Sequence, residues 1–267
     1  MTDVVRSIEA HVGPVMLVIM RIGGLAVFGP ILSGSMIPGR VRVMLVVLAG
    51  FGAYGLLSSN GLAPTAVSME PLSLLPLAAG EVAIGALIGF IAAIPLLALR
   101  SGGLICGQQM GLGFARFYNP TAGEETDVIE QLFYFLGLAG FILIGGLEAM
   151  FIAVLHSFEY INAGIFLTDN GVTDIMLGLL LSSLEIGLRV ALPLLGVIFL
   201  ETVAMGFVSK TVPQLNVLSL GFPLRIMVGL GVVIAGLAVI DQVAMDYLGS
   251  ALDTLHDWAT VPRGEGG

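Results

Sequence analysis

The sequence predicts an all-α membrane protein made of helical hairpins, with about eight apolar segments. Three observations carry this. Charged residues make up 11% of the 267 positions, against about 25% in an average soluble domain. Hydrophobic residues reach 57% and mean hydropathy is +1.03, more apolar surface than a soluble core hides, because a large share of any domain must face water. The apolar residues also come in continuous runs, whereas a membrane β-barrel needs alternating strands of about ten residues. Disorder and a wholly soluble globule are excluded on the same grounds.

The runs follow in order. Val12–Leu32 contains Arg21, and Val41–Leu57 is just long enough to span with its flanks. Leu72–Leu99 is longer and carries Pro76, Glu81 and Pro95. Gly102–Phe117 is short, Gly-rich and holds Gln108-Gln109. Val128–Leu147 and Ala149–Leu167 read as two arms of a tight hairpin turning near Gly145-Gly146. Ile175–Val208 is too long for one straight span, and Pro193 is placed to kink it. Val217–Ile240 closes the series. In the acidic tail Asp241–Gly267, residues Val243, Tyr247, Leu248, Ala251, Leu252, Leu255 and Trp258 recur at helical spacing, so an amphipathic helix and a loosely packed polar terminus are both compatible with it.

Charge is sparse. Net charge is −9, nine of the ten cations are Arg, and the only Lys is Lys210. Without a basic patch, nucleic acid is not an expected partner. Eight crossings with both termini outside would put Arg40, Arg42, Arg100 and Lys210 on the cytoplasmic side and the acidic breaks at Asn119–Asp127 and Thr168–Asp174 outside, as the positive-inside rule requires. That parity holds only if Gly102–Phe117 crosses. The N-terminus lacks the positive region and cleavage site of a removable signal, so its first apolar run is expected in the mature chain.

Ionisable groups at membrane depth point to function: Arg21, Glu81, Glu148, Glu159, Glu185, Arg189, Glu201 and Arg225. Glu185 and Arg189 are spaced i,i+4 with Glu first, the favourable order for an ion pair. They read as a structural pair, an ion relay or a subunit contact. Glu81 has no cation within a helical turn, which places it near the interface, against a polar cavity or against a partner chain. His156 is expected in a hydrogen-bonded packing role. Cys106 stands alone, so neither a disulfide framework nor a Cys metal cluster is expected. No nucleophile–base arrangement, phosphate loop or paired catalytic carboxylate emerges, and neither an enzyme nor a cofactor is expected. Gly111-Leu112-Gly113 follows no strand, which argues against dinucleotide binding.

Glycine supplies the remaining signal. Gly85 and Gly89 form a G-x-x-x-G, and Gly103, Gly107 and Gly111 a tandem one. Small residues at this spacing let helices approach closely. The tandem repeat also brackets Gln108-Gln109, and polar, irregular backbone at membrane depth is tolerated only inside protein or along a water-filled cavity. Gly102–Pro120 is therefore the best candidate site, with Met110, Phe114 and Phe117 as soft or bulky groups able to close a pore by excluding water. A Gly-rich packed hairpin without a gating role is the alternative.

Two strings carry a resemblance. Gly80-Glu81, Ile84-Gly85 and Ile88-Gly89-Phe90 lead to Gln109-Met110-Gly111-Leu112-Gly113-Phe114-Ala115 and Asn119-Pro120. Ala191-Leu192-Pro193 leads to Val212-Pro213-Gln214-Leu215-Asn216-Val217 and Leu220-Gly221-Phe222-Pro223-Leu224. Together with the weaker Ser157-Phe158 and Gly164, these resemble the FliR family, the R subunit of the flagellar type III protein export gate, over essentially the whole chain. The central turn, Asn-Gly-His in much of the family, reads Gly145-Gly146-Leu147-Glu148 here, and Glu201-Thr202 replaces a polar residue ahead of Gly206.

The resemblance implies one FliR-like domain over residues 1–267, with a FliP-like portion to about residue 170 and a FliQ-like portion from about 171. It implies assembly with FliP-type and FliQ-type subunits, other export-apparatus proteins and membrane lipid, at the inner membrane in the flagellar basal body, with unfolded flagellar substrates in transit. It further implies a pore plug at Gly107–Pro120, including Gly107, Gln109, Met110, Gly111, Gly113, Phe114, Phe117, Asn119 and Pro120. Helix or partner contacts are implied at Glu81, Gly85, Gly89, Glu185, Arg189, Pro213, Gln214, Asn216, Gly221, Phe222 and Pro223. The competing function is a small-molecule or ion secondary transporter coupled through Glu81 and Glu185/Arg189, which inverted repeats would support.

Overall fold

The computed structural model describes residues 2–34, 37–64, 71–112, 127–161, 170–212 and 217–260, and side chains outside residues 1–10, 71–73, 170–176, 217–219 and 258–260 of these. Among the described residues the chain is helical throughout, in seven helices: α1 Thr2–Phe28, α2 Gly39–Ser59, α3 Pro71–Met110, α4 Val128–Leu143, α5 Gly146–Tyr160, α6 Asn170–Thr211 and α7 Val217–Thr260. Continuous apolar sequence favours this outcome in lipid, because a helix satisfies its own backbone donors and acceptors. Five helices are long and apolar enough to cross a membrane (α1, α2, α3, α6, α7), and α4 with α5 makes a sixth if read as one interrupted span.

The eight expected segments thus reduce to seven helices. Gly102–Phe117 is not a separate block, because α3 runs unbroken through Arg100 to Met110. Arg100 is no loop marker; its Nε donates to Glu130 Oε1 at 2.5 Å. A helix interior accepts an arginine that has a partner on a neighbouring helix. With that block gone, the eight-crossing parity loses its footing. The break expected near Gly145-Gly146 is there, with Gly145 at φ 78°, a conformation open to Gly at little cost. The break falls where the chain passes from one compact unit to the other. Pro193 lies inside α6 without ending it. The tail continues α7 as a helix, and of its apolar stripe Tyr247, Leu248, Ala251 and Leu255 are buried.

The chain divides into two compact units. The first comprises 1–93, 145–177 and 250–267, the second 94–144 and 178–249. In the first, α1 lies on α3 so closely that a Cβ on Gly24 would overlap the Val82 carbonyl and one on Gly85 the Arg21 carbonyl, while one on Gly89 would meet the Leu25 carbonyl at 2.7 Å. The second has a core of Leu99, Cys106, Met110, Ile129, Phe133, Val190, Leu194 and Val233. There α6 and α7 run antiparallel: Arg225 meets Glu201 and Gly221 faces Met205 at one end, and Ile240 joins the Val190 cluster further along.

Candidate functional site

The site grows from the last turns of α3. Gly103 and Gly107 share one face of that helix, and Gly111 follows at the same spacing just past its end. A Cβ on Gly103 would meet Glu130 Cα at 2.8 Å, and one on Gly107 would overlap the Asp127 carboxylate. Asp127 is nearly buried, and its Oδ1 accepts from Ile129 N at 2.9 Å, capping the start of α4. Such a cap satisfies a backbone donor that the helix itself leaves open. At Gly111 the chain leaves α3 with φ 83°. A Cβ there would meet Phe222 Cζ at 2.8 Å. Met110, one residue earlier, is 1% exposed and packs on Gly229, where a Cβ would meet its Cγ at 2.5 Å.

The two strings singled out in the sequence therefore touch: Met110-Gly111 at the end of α3 lies against Phe222 and Gly229 of α7. Gln109, next to Met110, is exposed, and so is Pro223, beside Phe222; Gly221 is half-buried. Gly113, Phe114, Phe117, Asn119, Pro120, Pro213, Gln214 and Asn216 lie outside the described residues. Met110 fills the core of its own unit, as a flexible thioether does in an irregular gap.

Glu81 lies in neither of the open settings expected of it, the interface or a polar cavity. Its carboxylate is fully buried and takes a two-pronged contact from Arg21, Nε to Oε2 at 2.5 Å and Nη2 to Oε1 at 3.0 Å. Arg21 Nη1 donates to Ser157 Oγ at 2.8 Å, and Ser157 in turn donates to the Val154 carbonyl. The Phe158 ring lies 3.7 Å from the guanidinium carbon. The partner sits 60 positions away, which is why a search within one helical turn missed it. Buried charge persists only when paired and hydrogen-bonded, and this one is.

Two further pairs form among the charges of the apolar runs. Arg189 Nη2 donates to Glu185 Oε1 at 2.8 Å, with both side chains about two-thirds exposed (66% and 62%). Arg225 donates to Glu201 at 3.2 Å and to Thr202 at 2.8 Å, so the unusual Glu201-Thr202 dipeptide holds a single arginine. A pair 24 residues apart across a helical hairpin carries no periodic signal. The groups a transporter would couple, Glu81 and Glu185, are thus each already neutralised by an arginine of the chain itself. His156 lies 6.1 Å from the His256 ring between centroids, and its buried Nδ1 has no hydrogen-bond partner among the described residues. Among the described residues no three His, Cys, Asp or Glu side chains gather to hold a metal ion.

Long apolar helices, arginine–glutamate pairs within them and a glycine-lined helix end define a polytopic membrane protein. The family model for bacterial export proteins, family 1, matches residues 12–251, and the chain belongs to that family. It is 29% identical to the flagellar biosynthetic protein FliR of Escherichia coli (strain K12) over 226 residues, 81% of each chain. It is 24% identical to the protein of the same name from Bacillus subtilis (strain 168), over 91% of this chain and 93% of the relative. It also resembles the Yop proteins translocation protein T of Yersinia pestis, at 29% identity over 60% of this chain and 62% of that one.

Proposed function

We propose that this chain is a non-enzymatic inner-membrane subunit of a type III protein export apparatus, of the flagellar branch, and that it serves in the gate through which unfolded flagellar subunits pass at the basal body. Membership in a family of bacterial export proteins supports the class, and the flagellar names of the relatives support the branch. The Gly-Phe-Pro-Leu string at 221–224 points the same way. The partners are FliP-type and FliQ-type subunits. In this reading residues to about 170 form a FliP-like portion and the rest a FliQ-like one; the long α6–α7 pair, which begins at Asn170, fits that boundary.

One observation carries the site. The segment Gly107–Pro120 leaves α3 through a left-handed glycine clamped by Phe222. A plug needs a firm root and backbone freedom at the point of exit. In this arrangement Met110 anchors the plug, and Phe114 and Phe117 are left to seal it. Co-expression of a tagged chain with FliP- and FliQ-type proteins tests the assembly, and Gly111→Asp tests the plug. The Asp variant is expected to change export or ion leak. Unchanged motility together with unchanged ion permeability would count against the plug.

A further inference from the structure

Asp127 belongs to neither of the two strings, yet it joins the helices on either side of the candidate site. Along α3 and α4 the contacts run in antiparallel register. Leu99 Cδ1 lies on Gly137, where a Cβ would meet it at 2.5 Å; Gly103 lies on Glu130, and Gly107 on Asp127. Arg100 adds a charge-assisted bond to Glu130. The two helices form a stem, and its last rung before residues 113–126 is the Asp127 carboxylate.

That rung makes two contacts with one group. Its Oδ1 accepts from Ile129 N at 2.9 Å, an N-cap of the kind whose loss shifts a helix equilibrium about fivefold. The same carboxylate lies on Gly107, where its carbon and both oxygens would overlap a Cβ. Charge does not draw it to that seat. A carboxylate is favoured at the start of α4 and disfavoured beside the last turn of α3, which ends at Met110. The seat exists because Gly107 has no side chain. A methyl at 107 forces a choice: the carboxylate swings aside and gives up Ile129 N, or α4 moves off α3. Asp127 is 7% exposed, so water does little to replace the lost cap.

We propose that Asp127 is a positioning residue of the gate: seated on Gly107 and capping α4, it fixes the stem that carries the plug, and it acts as a hydrogen-bond acceptor, not as a charge. This rests on the plug reading above. The test uses the full chain co-expressed with its export subunits. Ion permeability of the cells is the readout, and the mass of the complex is the control. Asp127→Ala and Gly107→Ala break the same contact, so each should raise the leak about fivefold with the complex intact. The double variant should leak no more than either alone. Asp127→Asn, which caps as well as aspartate, should keep the gate tight. Equal leak in Asp127→Asn and Asp127→Ala would give the effect to the charge and overturn the proposal. So would multiplied effects in the double variant. A silent Asp127→Ala beside a leaking Gly111→Asp would overturn it too, while leaving the plug reading in place; silence in both would remove the plug and this role of Asp127 together. If Asp127→Ala fails to assemble, Gly107→Ala with Asp127→Ser decides. Serine caps from a shorter side chain that clears the added methyl, so the leak should fall below that of Gly107→Ala alone; an equal leak would overturn the proposal.

Discussion

Glu81 and Glu185 show how much a charge in an apolar helix depends on its surroundings. Glu81 and Arg21 have no solvent exposure, so removing one strands the other; breaking such a pair costs about 3–5 kcal/mol. Glu81→Ala is therefore expected to lower the melting temperature and membrane abundance of the chain sharply, whereas Arg21→Met with Glu81→Leu should recover much of the loss, since apolar residues of similar volume often replace a buried pair without penalty. Thermal unfolding in detergent measures both. Glu185→Ala breaks an exposed i,i+4 pair worth about 0.3–0.5 kcal/mol, and the same assay should find its stability nearly unchanged. The sequence showed the second pair outright, because i,i+4 is a local spacing. The first joins α1 to α3 and leaves no local trace, and the same holds for Arg225 with Glu201.

At the scale of elements, the glycines of α3 work on both sides of the helix's length. Gly85 lets α1 pack backbone to backbone, so Gly85→Val must push the helices apart. Overpacking of this kind costs about 1–3 kcal/mol, and the Arg21–Glu81 contact next to it should loosen as well; reduced yield and faster proteolysis between α1 and α3 would report it. Gly111 combines a positive φ with the Phe222 ring. Gly111→Ala strains the backbone and displaces that ring, and Phe222→Ala relieves only the second effect. The double variant is thus expected to recover part of the export lost in Gly111→Ala, read as motility or secreted flagellar protein. The G-x-x-x-G spacing announced close packing, but not which helix would fill each groove. Apolar periodicity located the helices, yet it split α3 at Arg100, because a charge reads as a boundary until its partner, Glu130, is known. The tail was only half legible: the spacing of Tyr247, Leu248, Ala251 and Leu255 admits one buried face, but its acidic composition suited a loosely packed terminus equally well.

At the scale of the whole molecule, nearly every helix carries exposed large apolar side chains, among them Leu181, Leu184, Phe199, Leu200 and Phe207 on α6 and Met227 and Ile234 on α7. Surface of this kind needs lipid or other subunits to cover it. Composition alone made the membrane class readable. The export role was not readable from composition; it rests on the Gln-Met-Gly and Gly-Phe-Pro strings and on the family match. The most direct test is the mass of the intact complex after co-expression with FliP- and FliQ-type proteins of the same source and extraction in mild detergent. The export-gate account predicts a stable hetero-oligomer containing a single copy of this chain. A monomer or homo-oligomer that leaves those partners behind would contradict it.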